Sequence, residues 1–413
     1  MVASKSVGLV IGIIIVVLII AVAYNSLGAP SGTASANTSS VHTTILQNKT
    51  ATYNATSPKN LSVLYVSVSG SDTNPGNISA PLNTINHAVK LAKPGDVIFV
   101  EPGTYNEQIN ITSPVVLEGE NPNTTIINAS GQTNGINVIG PGANGTIING
   151  LTVKNADNHG IYVQDVSNVW IMNNLVEHNG VNATVCPTPP AKPTGPCINE
   201  DKPIELVGTS NVTVENNIVT GNLADGGIGV ADLGFINPGS IASTHVFANA
   251  IHNRIIGNRV TYNKNGCGIV VASYNKGVID NIVEDNFVGF GVAGIVIAAD
   301  TPNSTALNNE VINNTATKNF IPGIILHSNA PGDVLSNTTV EFNRVSGNGA
   351  DAQVGALNKT GIVVSGDVMP VQNTTIKSNN VSDEYYGIWM RNAPNANLLN
   401  NTVANVTVAN YTK

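Results

Sequence analysis

Charge is scarce in this chain. Asp, Glu, Lys and Arg make up 11% of its 413 residues, well below the roughly 25% usual for soluble domains. The formal net charge is −8 and no basic run occurs, which speaks against nucleic acid as a partner. There is no long acidic tract either. Only three cysteines are present, without CxxC or His-rich spacing, so a structural metal site finds no support. Asn, Thr, Ser and Gly supply the polarity that charge does not.

What is abundant is one short pattern. It reads Gly-Ile-x-Val, a polar gap, alternating apolar residues, then Asn-x-Val and a closing Asn. Gly-Ile occurs at Gly135, Gly160, Gly227, Gly268, Gly294, Gly323, Gly361 and Gly387. The Asn-x-Val element is read at Asn174, Asn217, Asn258, Asn281, Asn309, Asn343, Asn379 and Asn401. Spacings of roughly 22 to 43 residues mark stacked structural units. Each unit holds short runs with period-two apolar alternation, such as Ile161/Val163 and Val169/Ile171,. One such strand cannot bury its apolar side alone; stacked on the next coil, equivalent residues form an inner column. Asn and Gly punctuate the runs because both tolerate the left-handed backbone, and stacked Asn amides can bond coil to coil. The pattern predicts an all-β fold, a right-handed parallel β-helix solenoid of three sheets over residues 61–413. A sandwich or propeller would need hairpin turn pairs and more even spacing.

Ahead of it, Val7 to Ala23 is almost wholly apolar and follows Lys5. This is the short end of a transmembrane helix, longer than most signal-peptide cores. Lys5 and the amino terminus would stay inside. Ala21-Val22-Ala23 offers a cleavage site, but the length favours an uncleaved signal anchor over residues 1–27, with the rest extracellular at the cell surface. Residues 28–60 read as a flexible stalk rich in Ser, Thr and Asn. Asn-x-Ser/Thr acceptors start at Asn37, Asn48, Asn54 and Asn60 and suit a glycoprotein. Cys186 and Cys197 flank a Pro-rich excursion and are expected to form a disulfide outside the cell. Cys267, within Gly-Cys-Gly-Ile, reads as a buried small apolar residue.

The folded region opens with Tyr65-Val66, Gly70-Ser71-Asp72, Asn74-Pro75-Gly76, Pro81, Thr84-Ile85, Ala88, Ala92, Gly95-Asp96 and Gly103-Thr104-Tyr105. This combination resembles the N-terminal segment of pectate-lyase-like right-handed β-helix proteins, with Leu82 standing where an aromatic is common. Within it, Ile85, Ala88, Val89 and Ala92 form a helical stripe ended by Pro94-Gly95. Such an N-terminal capping helix would cover the open apolar end of the solenoid.

The resemblance implies a polysaccharide partner and an outer groove in which carboxylates hold calcium against a sugar acid while Lys or Arg takes the neighbouring proton. Residues just before each Gly-Ile turn should stack in a row: Asp157 and His159, then Asp201 and Lys202, then Asp225, then Lys264. Glu200 and Glu205 lie close by. On this reading His159, Asp201, Asp225 and Lys264 are the catalytic candidates, Asp201 and Asp225 the calcium ligands, and Arg254 the alternative base. Turn residues of these types also suit plain solvation, and no tight Asp cluster accompanies them. Farther along, the row becomes Phe290, Phe320, Tyr385 and Tyr386, with Trp389 on the adjacent strand. Tyr385, Tyr386 and Trp389 could stack on sugar rings, whereas Phe290 and Phe320 are expected to fill gaps between coils. His159, His245 and His327 read as single turn or ladder residues. Some relatives are associated with copper; four methionines and scattered histidines make that a weak reading here.

The expectation is therefore a membrane-tethered, extracellular glycan-binding or adhesive β-helix needing no cofactor. The alternatives are a calcium-dependent polysaccharide lyase or related sugar-acid enzyme, and a structural cell-envelope component.

Overall fold

A computed structural model describes residues 62–181, 202–232, 248–349 and 359–412. The apolar segment and stalk of residues 1–60, Cys186, Cys197, Glu200, Asp201 and His245 lie outside the described residues. Among the described residues no helix is long and apolar enough to cross a membrane.

The chain winds into a solenoid whose ladders are all parallel. Among the described residues sheet 1 contains the Gly-Ile strands and runs from Ile109–Ile111 to Ala409–Thr412 as eleven strands. Sheet 2 has twelve strands, Val63–Val66 to Asn397–Leu399, and sheet 3 has eleven, Gly103–Tyr105 to Thr402–Ala404. Each coil visits sheets 1, 2 and 3 in that order, and parallel crossovers of this kind are right-handed. The three-sheet expectation needs one correction. A fourth sheet of five short strands, Ala250–Ile251 to Val371–Gln372, lies between sheets 1 and 2. It continues the bridges Ser167↔Ser210 and Ser210↔Ile251 of the preceding coils, and its inward residues, Val278, Ala306 and Leu335, follow the buried Val166 and Thr209.

Alternation decides what faces inward. Ile161, Ile269 and Ile362 are fully buried, as are their partners Val163, Val271 and Val364. The Gly before each Ile is required by close approach. At Gly227 an added Cβ would lie 2.3 Å from Val260 Cγ1 and 2.4 Å from the Gly268 carbonyl oxygen.

The corners are held by asparagine. Between sheets 2 and 3 a ladder runs Asn174, Asn217, Asn258, Asn286, Asn314, Asn343, Asn379, Asn401, each Nδ2 donating to the next Oδ1 at 2.9–3.0 Å. Asn281 and Asn309, read from the sequence as members of this series, belong instead to a second ladder entering sheet 2, Asn253–Asn281–Asn309. Asn-x-Val occurs twice in one coil, at Asn281 and Asn286, and only stacking distinguishes the two. A third ladder between sheets 3 and 1 joins Asn179, Asn222 and Asn263, and then Asn319, Asn348 and Glu384.

The opening motif is structural. Helix α1 spans Ile85–Leu91, with Thr84 as N-cap accepting from His87 N. Asp72 receives Asn83 N, Thr84 N and Thr84 Oγ1 at 2.8–2.9 Å. Burial works against its ionisation, yet these donors hold its carboxyl below the ordinary value,. Glu107 accepts Ile85 N and Asn86 N at the helix start, satisfying donors that helix geometry leaves free. Ile85, Ala88 and the motif's odd residue Leu82 are fully buried with Val66, Ile98 and Val100 of the first coil.

Candidate functional site

Two residues of each sheet 1 strand face outward, the second and fourth after the turn glycine. The first of these rows runs Tyr162, Glu205, Gly229, Val270, Val296, Ile325, Val363, Trp389 in register. Small and apolar residues fill its middle; Val270, Ala272, Val296 and Ala298 are buried, with Cys267 packed against them. Chemistry gathers at the two ends.

At the first end, His159, Tyr162, Lys202, Glu205 and Asp225 come together. His159 Nδ1 lies 2.8 Å from the Lys202 carbonyl oxygen. A carbonyl only accepts, so Nδ1 carries a proton and donates to it. The His159 ring stacks on Tyr162 with centroids 4.8 Å apart. The Lys202 side chain is 2% exposed, and its Nζ donates to Asp225 Oδ2 at 2.8 Å. Glu205 is equally buried. Gly229 makes room for both: a Cβ there would meet Glu205 Oε2 at 2.3 Å and Lys202 Cγ at 2.7 Å. A buried ammonium persists only when paired, and Asp225 supplies the partner.

Of the sequence row, His159 and Asp225 both contact Lys202, the first at its carbonyl oxygen and the second at its ammonium, and Lys202 rather than Lys264 is the cation beside Asp225. Lys264 is exposed and enters none of the ion pairs among the described residues. In the next coil it is Gly266 that lies against the Asp225 carboxylate. Arg254 sits on sheet 2 facing Glu284 at 3.4 Å, on another side of the solenoid, and is no base for this cluster. Among the described residues no group of three or more His, Cys, Asp or Glu is placed to hold a metal ion. Tyr162 escaped the sequence reading although it occupies the outward position two after Gly160.

At the far end, Trp389 is half-buried and the Arg391 guanidinium lies 5.5 Å from its ring centroid. Arg391 pairs with Asp367 and donates to Ser365 Oγ at 3.1 Å. Ala298, His327, Ser365 and Arg391 form the second outward row. His327 Nδ1 stands 3.6 Å from Asp300 Oδ1, and Asn329 Nδ2 donates to the same oxygen at 2.7 Å. Burial pushes the Asp300 carboxyl up, against the opposing pull of His327 and Asn329,. Tyr385 and Tyr386 pack edge to face, 4.9 Å apart. The predicted Tyr385, Tyr386 and Trp389 therefore share one end of sheet 1. The polar row beside them was missed, although four residues past Gly323, Gly361 and Gly387 one reads His327, Ser365 and Arg391. One other expectation fails, at Phe320. Phe290, half-buried, stacks on Tyr262 of the neighbouring coil at a corner. Phe320 is 40% exposed.

Solved structures share this architecture at low identity. A surface adhesin of Streptococcus pneumoniae, PfbA, aligns with TM-score 0.51 and 13% identity over 79% of this chain and 87% of that one. The catalytic domain of a GH87 α-1,3-glucanase in complex with tetrasaccharides gives 0.50 and 16%, over 86% and 67%. XylC in complex with xylose gives 0.50 and 10%, over 80% and 70%. At such identities the likeness concerns the fold. No curated protein matches the chain. Residues 68–305 match the family described as "Protein of unknown function (DUF1565)"; that is more than half of the chain, which is a pectate-lyase-like right-handed parallel β-helix and belongs to the DUF1565 family.

Proposed function

We propose that the chain is a carbohydrate-binding surface protein, tethered by its N-terminal apolar segment, that holds a glycan at the Trp389 end of sheet 1. The observation carrying this is the Trp389 ring beside the Arg391 guanidinium, which is held by Ser365 and Asp367, with His327 and Asp300 continuing the polar row on the preceding coils. An aromatic face flanked by convergent polar groups offers a sugar both an apolar platform and hydrogen bonds to its hydroxyls. Tyr385 and Tyr386 extend the platform. The fold shared with an adhesin and with a catalytic domain holding tetrasaccharides suits this role. The run from Val7 to Ala23 and the Asn-x-Ser/Thr acceptors suit an extracellular setting. The full chain is expected to bind glycans on an array, and Trp389→Ala to weaken its best ligand about tenfold or more, with the circular dichroism spectrum unchanged. No binding by the full chain, or an unaltered profile in the variant, would sink the idea.

A second reading, a sugar-acid enzyme, is favoured by the His159–Lys202–Asp225 cluster with Glu205 beside it. Paired carboxylates next to a cation can bind an acidic sugar and move a proton. Lys202 is already ion-paired, so it would neutralise a substrate carboxylate rather than accept a proton, and Asp225 or Glu205 would be the base. Incubation with pectate or alginate and calcium should then yield unsaturated products absorbing in the ultraviolet. No product, or unchanged turnover in Asp225→Ala, removes this reading.

A further inference from the structure

Sheet 3 faces a different side of the solenoid from both polar clusters. In its strands from Thr152–Lys154 to Asn380–Ser382 the middle residue is buried, as at Val219, Val260, Val288, Ala316 and Val345, so the flanking two face outward. One outward lane carries Arg259, Phe287, Thr315 and Arg344 in register. The other carries small residues, Thr261, Gly289 and Thr317. Along the corner beyond stand Tyr262, Phe290 and Lys318.

These side chains are organised. Arg259 lies over the Phe287 ring at 4.6 Å. Tyr262 and Phe290 stack in parallel, centroids 4.7 Å apart and planes 10° from each other, and Lys318 Nζ reaches over Phe290 at 5.8 Å. Tyr262 is 48% exposed, and Arg259, Lys318 and Arg344 are exposed. Tyr262 and Phe290 hold the left-handed backbone, φ 59° and 61°. Glycine takes that conformation at the equivalent corners Gly221 and Gly347, and a large aromatic ring is an outlier there. Tyr262 is exposed and Phe290 half-buried, and aromatic rings reaching solvent together are a feature of binding surfaces.

The charge of this face opposes that of the chain. Over the five described coils from Ile218 to Gly347 no strand of sheet 3 carries a carboxylate, and the carboxylate of Asp225 in the first of the following turns is paired with Lys202, although the net charge is −8. The adjoining sheet 2 is the reverse, with Glu215, Glu284, Glu310 and Glu341. The Glu310 carboxyl is pushed up by burial and by Glu341 and Glu284, which marks a face hostile to anions.

We propose that sheet 3 binds an anionic polysaccharide along the solenoid axis. Its sugar rings lie on Phe287, Tyr262 and Phe290, and its acid groups meet Arg259, Lys318 and Arg344. Threonine and glycine between the two aromatic lanes leave a shallow channel for the chain. Single-stranded nucleic acid also stacks on such platforms. However, three cations, with Arg259 and Arg344 three coils or about 14 Å apart at roughly 4.8 Å per coil, are few for a nucleic acid, whose binding rests on many phosphate contacts, and the chain has no basic run.

The test uses the full chain and, in parallel, the Trp389→Ala chain, so that sheet 1 binding is separated from sheet 3 binding. Titration calorimetry with polygalacturonate, its neutral methyl ester and a poly-deoxythymidine oligonucleotide is run at low and moderate salt. Polygalacturonate is expected to bind in both backgrounds, more weakly as salt rises, and the ester far less. Arg259→Ala with Arg344→Ala should weaken binding at least tenfold. Tyr262→Asn with Phe290→Asn should weaken it several-fold while leaving the melting temperature unchanged or higher, because Asn accepts the left-handed backbone. Unaltered affinity in both double variants, equal binding of the ester, or tighter binding of the oligonucleotide overturns the proposal.

Discussion

Glu384 terminates the third ladder where asparagine would continue it, and its ionisation should set the pH dependence of stability. Its side chain is 3% exposed and accepts Asn348 Nδ2 at 2.9 Å and Asn348 N at 3.1 Å. Burial pushes the carboxyl up from 4.5 to about 8, overriding the two Asn348 donors, with Asp383 adding to the rise. The folded chain therefore keeps a proton that the unfolded chain releases above pH 4.5. Stability from this group is fully present below pH 4.5, falls as pH rises, and is lost by about pH 8,. A rise of that size corresponds to about 5 kcal/mol at most, at 1.36 kcal/mol per pH unit. That is a large share of a typical folding free energy. Glu384→Gln keeps the shape and the amide-like acceptor but cannot ionise. Urea unfolding at pH 5 and pH 9 should show the two proteins close at pH 5 and the variant more stable at pH 9, by several kcal/mol. Parallel pH profiles, or a variant weaker at pH 9, would refute the reasoning, since the ionised carboxylate would then be the better ladder acceptor.

The ladders and turn glycines make their own predictions. Asn286→Ala removes donors to the Ile255 and Glu284 carbonyls and to Asn314, and strands the Asn258 N–H. With one buried donor orphaned, it should cost about 2–4 kcal/mol, read as a lower urea midpoint. Gly227→Ala, whose Cβ would meet Val260 and the Gly268 carbonyl, should cost about 3 kcal/mol. Gly347→Ala has open space but φ 63°, and should cost only about 1–2 kcal/mol; equal midpoints for the two would show that backbone conformation, not close approach, selects these glycines.

Much of this molecule is written locally. Gly-Ile alternation names the inward column, because a pleated strand sends successive side chains to opposite faces whatever lies around it. The opening motif places helix α1 through its Thr84 cap. Outward residues of sheet 1 follow by counting two and four from each glycine, which is enough to find Tyr162, His327 and Arg391. What repeat spacing cannot say is which residues of neighbouring coils meet, because loops of unequal length separate them. Stacking alone put Asn286 rather than Asn281 in the long ladder and Lys202 rather than Lys264 beside Asp225. It also made a fourth sheet of the polar gap and lined Arg259, Tyr262, Phe290 and Lys318 along one face. Coil-to-coil hydrogen bonding at roughly 4.8 Å fixes those neighbours, and that register is a property of the wound chain, absent from any single repeat.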